Sequence, residues 1–143
     1  YNGLTEGTTV YLPVMREGGL LYVGDVHALQ GDGELTGDAL ETSADLELKI
    51  DVVPGLMTSG PRAENADYLM SSGISGSMES AFRQATTQLV QWLARDYGLT
   101  PSETAIILGT SIEYDIAEVV DPQFHIVAKV RKTALASLKR VQP

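Results

Sequence analysis

The sequence predicts an α+β fold that is rich in β-structure, with antiparallel sheets or a β-sandwich and two to three helices packed on one side. Three observations lead to this prediction. The first part of the chain contains short apolar or alternating segments, two segments with helical signals follow, and two further strand-like segments come after them. Strands and helices in such blocks favour helices on one side of antiparallel sheets.

Three strands are predicted before the helices. Residues 8–14 (TTVYLPV) form a strand that ends at a proline, and residues 20–29 (LLYVGDVHAL) are apolar on both faces up to Asp25. The third strand alternates cleanly and is closed by Pro54 and Gly55, as is typical of a half-buried strand. Its apolar face consists of Leu46, Leu48, Ile50 and Val52.

The clearest predicted element is a helix in the segment MESAFRQATTQLVQWLARDYGLT. Its apolar residues recur at steps of three and four, and Gly98 is a natural C-terminal stop. A second short helix begins after Thr100, which is a good N-cap, with Pro101 at the first helical position and Glu103 closing a capping box. The apolar face of the first helix consists of Phe82, Ala85, Leu89, Trp92 and Leu93.

The remaining segments complete the predicted order of elements. Residues 71–77 (SSGISGS) predict a flexible loop that leads into the first helix, with Ser77 or a neighbour as N-cap. A serine nucleophile in this loop is disfavoured, because no lysine or histidine lies near it in the sequence. Residues 114–121 and 124–131 predict two strands, and residues 132–140 predict a last short helix.

Composition excludes several classes of function. The chain has 143 residues, enough for one domain with a real core, and no cysteine, which excludes disulfides, thiolate metal sites and a cysteine nucleophile. Its net charge of −9 argues against nucleic acid or an anionic membrane as a partner. No apolar run is long enough to span a membrane and no signal peptide is visible. The lack of cysteine does not fix the compartment, but a cytoplasmic location needs no special assumption.

The segment GDVHALQGDGEL (residues 24–35) concentrates acidic residues and a histidine around an Asp-Gly turn signal. A loop of two or of four residues would place the side chains of Asp25, His27, Glu34 and Asp38 on a single face of a hairpin. A loop of three residues would send Glu34 and Asp38 to the other face and bring Glu41 in their place. The sequence alone does not decide between these loop lengths and the strand registers that they imply.

An imidazole beside carboxylates is a competent ligand set for zinc or another divalent ion. Such an ion lowers the pKa of bound water and polarises a carbonyl group, and a spare carboxylate can act as general base. The ordinary alternatives are a plain turn, a structural histidine–carboxylate hydrogen bond, or weak calcium binding at Asp32, Glu34 and Asp38. Structural roles are favoured for the other conspicuous residues, which are Phe82, Trp92, Asp115, Asp121 and His125.

Several segments resemble the acetamidase/formamidase family. They are LPV…EGGLLYVGDVHALQGDGELTGDALE, GISGSMESAFRQATTQLVQWL, DYGLTPSETAIILGTSIEYDIAEVVDP and VAKV, and together they cover nearly all of the chain. The run Gly-Asp-x-His…Gln-Gly-Asp-Gly-Glu is long and specific. The resemblance implies a β-rich fold with appended helices, a homo-oligomer, and hydrolysis of short aliphatic amides such as formamide or acetamide to ammonia and a carboxylate by metal-assisted attack of water.

The resemblance also implies roles for individual residues. Asp25 and His27 correspond to metal-binding residues, with zinc expected and calcium as the alternative. Gln30, Asp32 and Glu34 correspond to catalytic residues, of which Glu34 is the preferred general base.

The length of the family implies that residues 1–143 are a single domain and the C-terminal half to two-thirds of a longer chain. Activity would then need the N-terminal half, with a glycine-rich Asn-x-Asp stretch, as part of the chain or as a separate partner. Residues 112–114 depart from the family, which has smaller residues there. The alternative function is a non-catalytic truncated homologue that binds a partner or stabilises an oligomer.

Overall fold

A five-stranded antiparallel sheet is the centre of the fold in the computed structural model, which describes residues 1–56 and 58–141. The strands are β1 (Thr9–Tyr11), β2 (His27–Leu29), β3 (Leu40–Glu41), β4 (Arg62–Glu64), β5 (Tyr68–Ser75), β6 (Ile112–Glu118) and β7 (Phe124–Arg131). The large sheet has the order β1-β4-β5-β7-β6, and β2 pairs with β3 in a separate two-stranded ribbon. The helices are α1 (Met78–Tyr97) and α2 (Pro101–Ser111). The α+β prediction is confirmed.

The main core lies between the helices and one face of the sheet. In β7, Ala128 and Val130 belong to the cluster that includes residues of α1, while Val127 belongs to a smaller cluster with Met70. This alternation follows from the two-residue period of a strand. Within the described ranges, neither helix combines the length with the apolar composition that a membrane crossing needs.

The predicted helix signals are confirmed. The Ser77 hydroxyl accepts a hydrogen bond from the backbone N–H of Ser80, and Gly98 ends α1 with a φ of 66°. At the start of α2, the side chain of Thr100 accepts from the backbone of Glu103, whose carboxylate accepts from the backbone of Thr100, so that the capping box is complete. The predicted apolar face of α1 is buried except for Phe82, which is 43% exposed and stacks on Tyr114.

The prediction of a flexible loop at residues 71–77 is wrong. Strand β5 continues through Ser75 and pairs with β7 along its whole length. The reason is that α1 packs directly on this strand. A Cβ atom at Gly73 would lie 1.8 Å from the carbonyl oxygen of Ala81, and the Ser71 hydroxyl donates to the carbonyl of Ala85 at 2.7 Å. Glycine and serine are therefore needed here for close packing, which overrides their preference for loops.

Two predicted strands before the helices are mostly absent from the described chain. Only His27–Leu29 of the predicted strand at residues 20–29 is a strand, and none of residues 46–52 is one. An alternating pattern specifies an apolar face, but a strand also needs a neighbour for its backbone hydrogen bonds. The apolar side chains of the second segment face solvent, with exposed fractions of 52% for Leu46, 53% for Leu48, 69% for Ile50 and 72% for Val52.

The elements after the helices follow the prediction more closely. The predicted strand at 114–121 corresponds to β6, which runs from Ile112 to Glu118, and the one at 124–131 is β7, which pairs with it antiparallel. The predicted last helix is shorter than expected, since only Lys132–Leu135 is helical and it is a 3-10 turn. The structural role of Asp115 is confirmed, because its carboxylate accepts from Lys129 Nζ at 2.7 Å and from the Tyr1 hydroxyl at 2.6 Å. Asp121 lies exposed in the bend between the two strands.

His125 is distant from Ser72 in the sequence, but the pairing of strands in the sheet places the two side chains in contact. His125 Nε2 lies 2.9 Å from the hydroxyl oxygen of Ser72. Burial lowers the pKa of His125 to about 4. A histidine with so low a pKa is a weak base near neutral pH, so that the pair suits a structural hydrogen bond better than a nucleophile and its base.

Substituting Gly73→Ala is expected to lower the free energy of unfolding by about 3 kcal/mol, because the new methyl group would displace the backbone of α1 from β5. The matched control is Gly109→Ala in α2, where an added Cβ would meet nothing within 4 Å apart from its chain neighbours and the adjacent backbone of its own helix. The control is expected to gain about 0.5–1 kcal/mol from helix propensity. Urea denaturation measures both changes, and equal stability of Gly73→Ala and wild type would contradict this packing.

Acidification is expected to destabilise the fold through His125. Its pKa is 6.5 when unperturbed and about 4 in the fold, so the unfolded chain binds a proton below pH 6.5 that the folded chain does not. Stability is therefore complete above pH 6.5 and falls as the pH drops to 4, by about 3 kcal/mol for this group. Urea midpoints at pH 7 and pH 4.5 measure the loss. The loss should shrink in His125→Gln, and an unchanged pH dependence in that variant would refute the assignment.

Candidate metal centre

The segment at residues 24–41 folds as the ribbon of β2 and β3 with a long connection between them. His27 pairs with Glu41 and Leu29 with Leu40, with a register irregularity between the two pairs. The connection contains a 3-10 turn at Asp32–Glu34. The prediction of a tight hairpin at Asp32 and Gly33 is therefore wrong, because the glycine belongs to a turn that packs on the large sheet.

The ribbon brings together one imidazole and two carboxylates. His27 Nε2 lies 3.2 Å from Asp25 Oδ1 and 3.0 Å from Glu41 Oε1. One ligand atom from each residue lies within 4.8 Å of the others. This is the grouping that the three-residue-loop alternative predicted, although the actual connection is longer. Glu34 and Asp38 are not members of this cluster.

Gln30 sets the orientation of the imidazole. Its amide Nε2 donates to the carbonyl oxygen of Ala117 at 3.1 Å, and its Oε1 lies 3.0 Å from His27 Nδ1. Because Oε1 is an acceptor only, it selects the ring form that carries a proton on Nδ1. In the neutral ring, the lone pair of Nε2 then points toward the carboxylates of Asp25 and Glu41, which is the arrangement that a cation between the three groups would satisfy.

A glycine anchors the connection to the edge of the large sheet. Gly33 is buried with a φ of 73°, and its carbonyl accepts a hydrogen bond from the backbone N–H of Val119 at 3.0 Å. A Cβ atom at this position would lie 3.0 Å from Val119 Cγ2, so that a side chain is disfavoured by both space and conformation. Asn2 adds a hydrogen bond to the carbonyl of Gln30 at 3.3 Å. These contacts hold Gln30 against β6.

The electrostatic environment of the cluster is negative. The His27 side chain is 9% exposed, whereas those of Asp25 and Glu41 are 82% and 59% exposed. The hydrogen bond with Gln30, followed by the nearby carboxylates, raises the pKa of His27 above its ordinary value. Asp25 has a φ of 62°, a strained conformation for a residue other than glycine, and strained residues of this kind concentrate at functional sites.

The predicted site residues thus divide into two groups. His27 contacts both Asp25 and Gln30, while Asp32 and Glu34 lie in the neighbouring 3-10 turn. Glu34 also has a positive φ of 47°. The expected roles of these residues stay predictions. Sequence reasoning left Glu41 out of the preferred set, and its only signal was the alternative hairpin register.

Comparison with known proteins gives consistent matches. A sequence model of the acetamidase/formamidase family matches residues 1–131. A formamidase of Methylophilus methylotrophus is 31% identical over 140 residues, which cover 82% of this chain and 34% of that protein. An acetamidase of Mycolicibacterium smegmatis is 31% identical over 130 residues, which cover 75% of this chain and 32% of that protein. The chain therefore spans about a third of the length of these relatives.

Solved structures show the same relationship. The crystal structure of an acetamidase from Yersinia enterocolitica matches with a TM-score of 0.86 and 36% identity, over 90% of this chain and 39% of that one. A predicted acetamidase/formamidase from Thermoanaerobacter tengcongensis matches with a TM-score of 0.85 and 29% identity, over 92% of this chain and 44% of that one. The sequence resemblance, the fold and the long match to the family model agree, and the chain belongs to the acetamidase/formamidase family.

Proposed function

We propose that this chain is part of an amidase that hydrolyses short aliphatic amides to ammonia and a carboxylate with the help of a divalent metal. The observation that carries the metal in this proposal is the cluster of His27 Nε2 with one oxygen each from Asp25 and Glu41. The amide substrate is supported by two family relatives that are named formamidase and acetamidase.

The donor set of the cluster favours zinc. Zinc accepts imidazole nitrogens and carboxylate oxygens as ligands, and a site with three protein ligands leaves a position open for another ligand. Calcium is less well suited, because it prefers six to eight oxygen ligands and the cluster includes a nitrogen. The hydrogen bond from His27 Nδ1 to Gln30 is the outer contact that metal-binding histidines usually make.

A bound metal of this type supplies a lowered pKa for water and polarisation of a carbonyl group. Gln30 acts as a positioning residue, because it touches His27 and the sheet and thereby fixes the ring orientation. Glu34 is the proposed general base, with Asp32 beside it, and both lie in the turn that follows Gln30. Hydrolysis of an amide needs such a base to take a proton from water and return it to the departing ammonia.

Titration with zinc is expected to show saturable binding that depends on the cluster. Gln30→Ala should weaken zinc binding about 10–100-fold, since it removes only the outer hydrogen bond. His27→Ala and Glu41→Gln should weaken it more, because each removes a direct ligand. Isothermal titration calorimetry measures these affinities. The matched control is Glu47→Gln, an exposed glutamate outside the cluster, and wild-type affinity in His27→Ala would rule out this metal site.

Ammonia release from formamide and acetamide tests the catalytic part of the proposal. The zinc-loaded chain is assayed alone and with the N-terminal portion of a family relative added in trans, because the chain spans about a third of its relatives. Glu34→Gln is expected to keep zinc affinity and to lower the rate about 10²–10⁴-fold, the usual contribution of a general base. Zinc binding without ammonia release in either assay would instead support a non-catalytic binding module.

A further inference from the structure

We propose that a recess beside Arg62 binds a small oxoanion, either a carboxylate or a phosphate. The recess has a volume of about 130 Å³ and lies between α1 and the segment that leads into β4. This is well below the roughly 300–1,000 Å³ of pockets for drug-sized ligands, so that it suits a small ion. Its wall includes Thr58, Arg62, Gln91, Trp92 and Arg95.

Among the described residues, no carboxylate forms an ion pair with the buried guanidinium group of Arg62. The residue is 5% exposed, and its Cζ atom lies 4.2 Å from the ring centre of Trp92 and 4.9 Å from that of Tyr11. Its Nε and Nη2 atoms are both buried and have no hydrogen-bond partner within residues 1–56 and 58–141. Buried charged donors without partners are costly, and a charged ligand that accepts from them removes the cost.

The two unpartnered atoms have the geometry that an oxoanion requires. Nε and Nη2 lie on the same edge of the guanidinium plane and direct their N–H bonds nearly in parallel. Two oxygens of one carboxylate or phosphate accept such a pair of hydrogen bonds together. The stacking on Trp92 and Tyr11 fixes the plane of the group, so that this edge is already oriented before a ligand binds.

The carboxylates near the recess are already in use. Asp96 is fully buried and accepts hydrogen bonds from Trp92, Arg95 and Arg140. Glu64 accepts from Tyr11 and Arg140 and forms an ion pair with Lys132. The connected cluster therefore contains four cations and two carboxylates, although the chain as a whole has a net charge of −9. The cations are Arg62, Arg95, Lys132 and Arg140.

A further donor is available in the same place. The hydroxyl group of Thr58 is buried without a hydrogen-bond partner in the described residues. Arg95 also lines the recess, but its guanidinium group is paired with Asp96, to which Nε donates at 2.6 Å. Burial, followed by the charge of Arg95, lowers the pKa of Arg62, and the opposite charge of Asp96 offsets this shift only in part.

The recess is separate from the candidate metal centre. Arg62 belongs to β4, whereas Gln30 contacts β6, and strands β5 and β7 lie between these two strands. Anion binding and amide hydrolysis can therefore succeed or fail independently of each other.

Fluorescence of Trp92 provides a direct test, because this is the only tryptophan in the chain and the guanidinium group of Arg62 stacks on its ring. The full chain is titrated with sodium phosphate and with sodium acetate at constant ionic strength, and sodium chloride is the reference. We expect a saturable change in emission and a higher Tm with phosphate, acetate or both, but not with chloride. Arg62→Gln should weaken the apparent affinity roughly tenfold or more. The matched control, Arg16→Gln, removes an exposed charge outside the recess and should behave as wild type.

A second variant keeps the test decisive if Arg62→Gln does not fold. Gln91→Glu places a carboxylate in the wall of the recess. It is expected to raise the Tm without added anion and to weaken the response to phosphate and acetate, because it competes for the same donors. The proposal is overturned if neither anion changes the emission more than chloride does, or if Arg62→Gln or Gln91→Glu responds as strongly as wild type.

Discussion

The close contact between α1 and β5 at Gly73 is the constraint on which the rest of the fold depends. The helix backbone reaches the strand because the glycine has no Cβ, and the Ser71 hydroxyl bonds the helix carbonyl of Ala85 beside it. This contact fixes both the distance of α1 from the sheet and the rotation of α1 about its own axis. The same rotation turns Leu89 and Leu93 into the core and places Trp92 under the guanidinium group of Arg62. The packing of the core and the formation of the recess therefore have one common cause.

The outer strand β6 connects the fold to the candidate metal centre. The pairing of β6 with β7 shifts register between Ile116 and Glu118, which leaves Ala117 in an irregular position. Its carbonyl accepts the hydrogen bond from Gln30, and the N–H of Val119 donates to Gly33. Irregular positions of this kind are frequent at sheet edges and near active sites, where they direct backbone groups out of the ladder. The edge of the sheet thus orients His27 through a single side chain.

The sequence predicted the elements whose signals are local. The caps of both helices, the end of α1 at Gly98 and the strands on either side of Asp121 depend on residues within a few positions of each other. Contacts between distant segments were predicted poorly. The glycine and serine residues of β5 resemble a loop until the helix that packs on them is known. The alternation at residues 46–52 predicts a half-buried strand, but it does not say whether another strand lies beside it, and its apolar side chains are exposed.

The same distinction applies to the candidate sites. Asp25 and His27 are two positions apart in a motif of specific composition, whereas Glu41 joins them only through the register of β2 and β3. The register in turn depends on how the connecting residues pack on β6, a contact that local sequence does not encode. The sequence contains no pattern that marks Arg62 as part of a binding site. Its lack of hydrogen-bond partners among the described residues becomes visible only in the folded structure.

The net charge of the chain and the local charge around Arg62 favour different kinds of ligand. A net charge of −9 disfavours nucleic acids and anionic membranes, because binding to such extended surfaces sums many weak interactions over a long range. A small oxoanion instead interacts with a few aligned N–H groups at short range, where burial limits screening by salt. At the proposed oxoanion site, the orientation of one buried arginine edge would therefore outweigh the surplus of carboxylates elsewhere in the chain. An acidic protein can thus repel polyanions at its surface and still hold a single anion against its core.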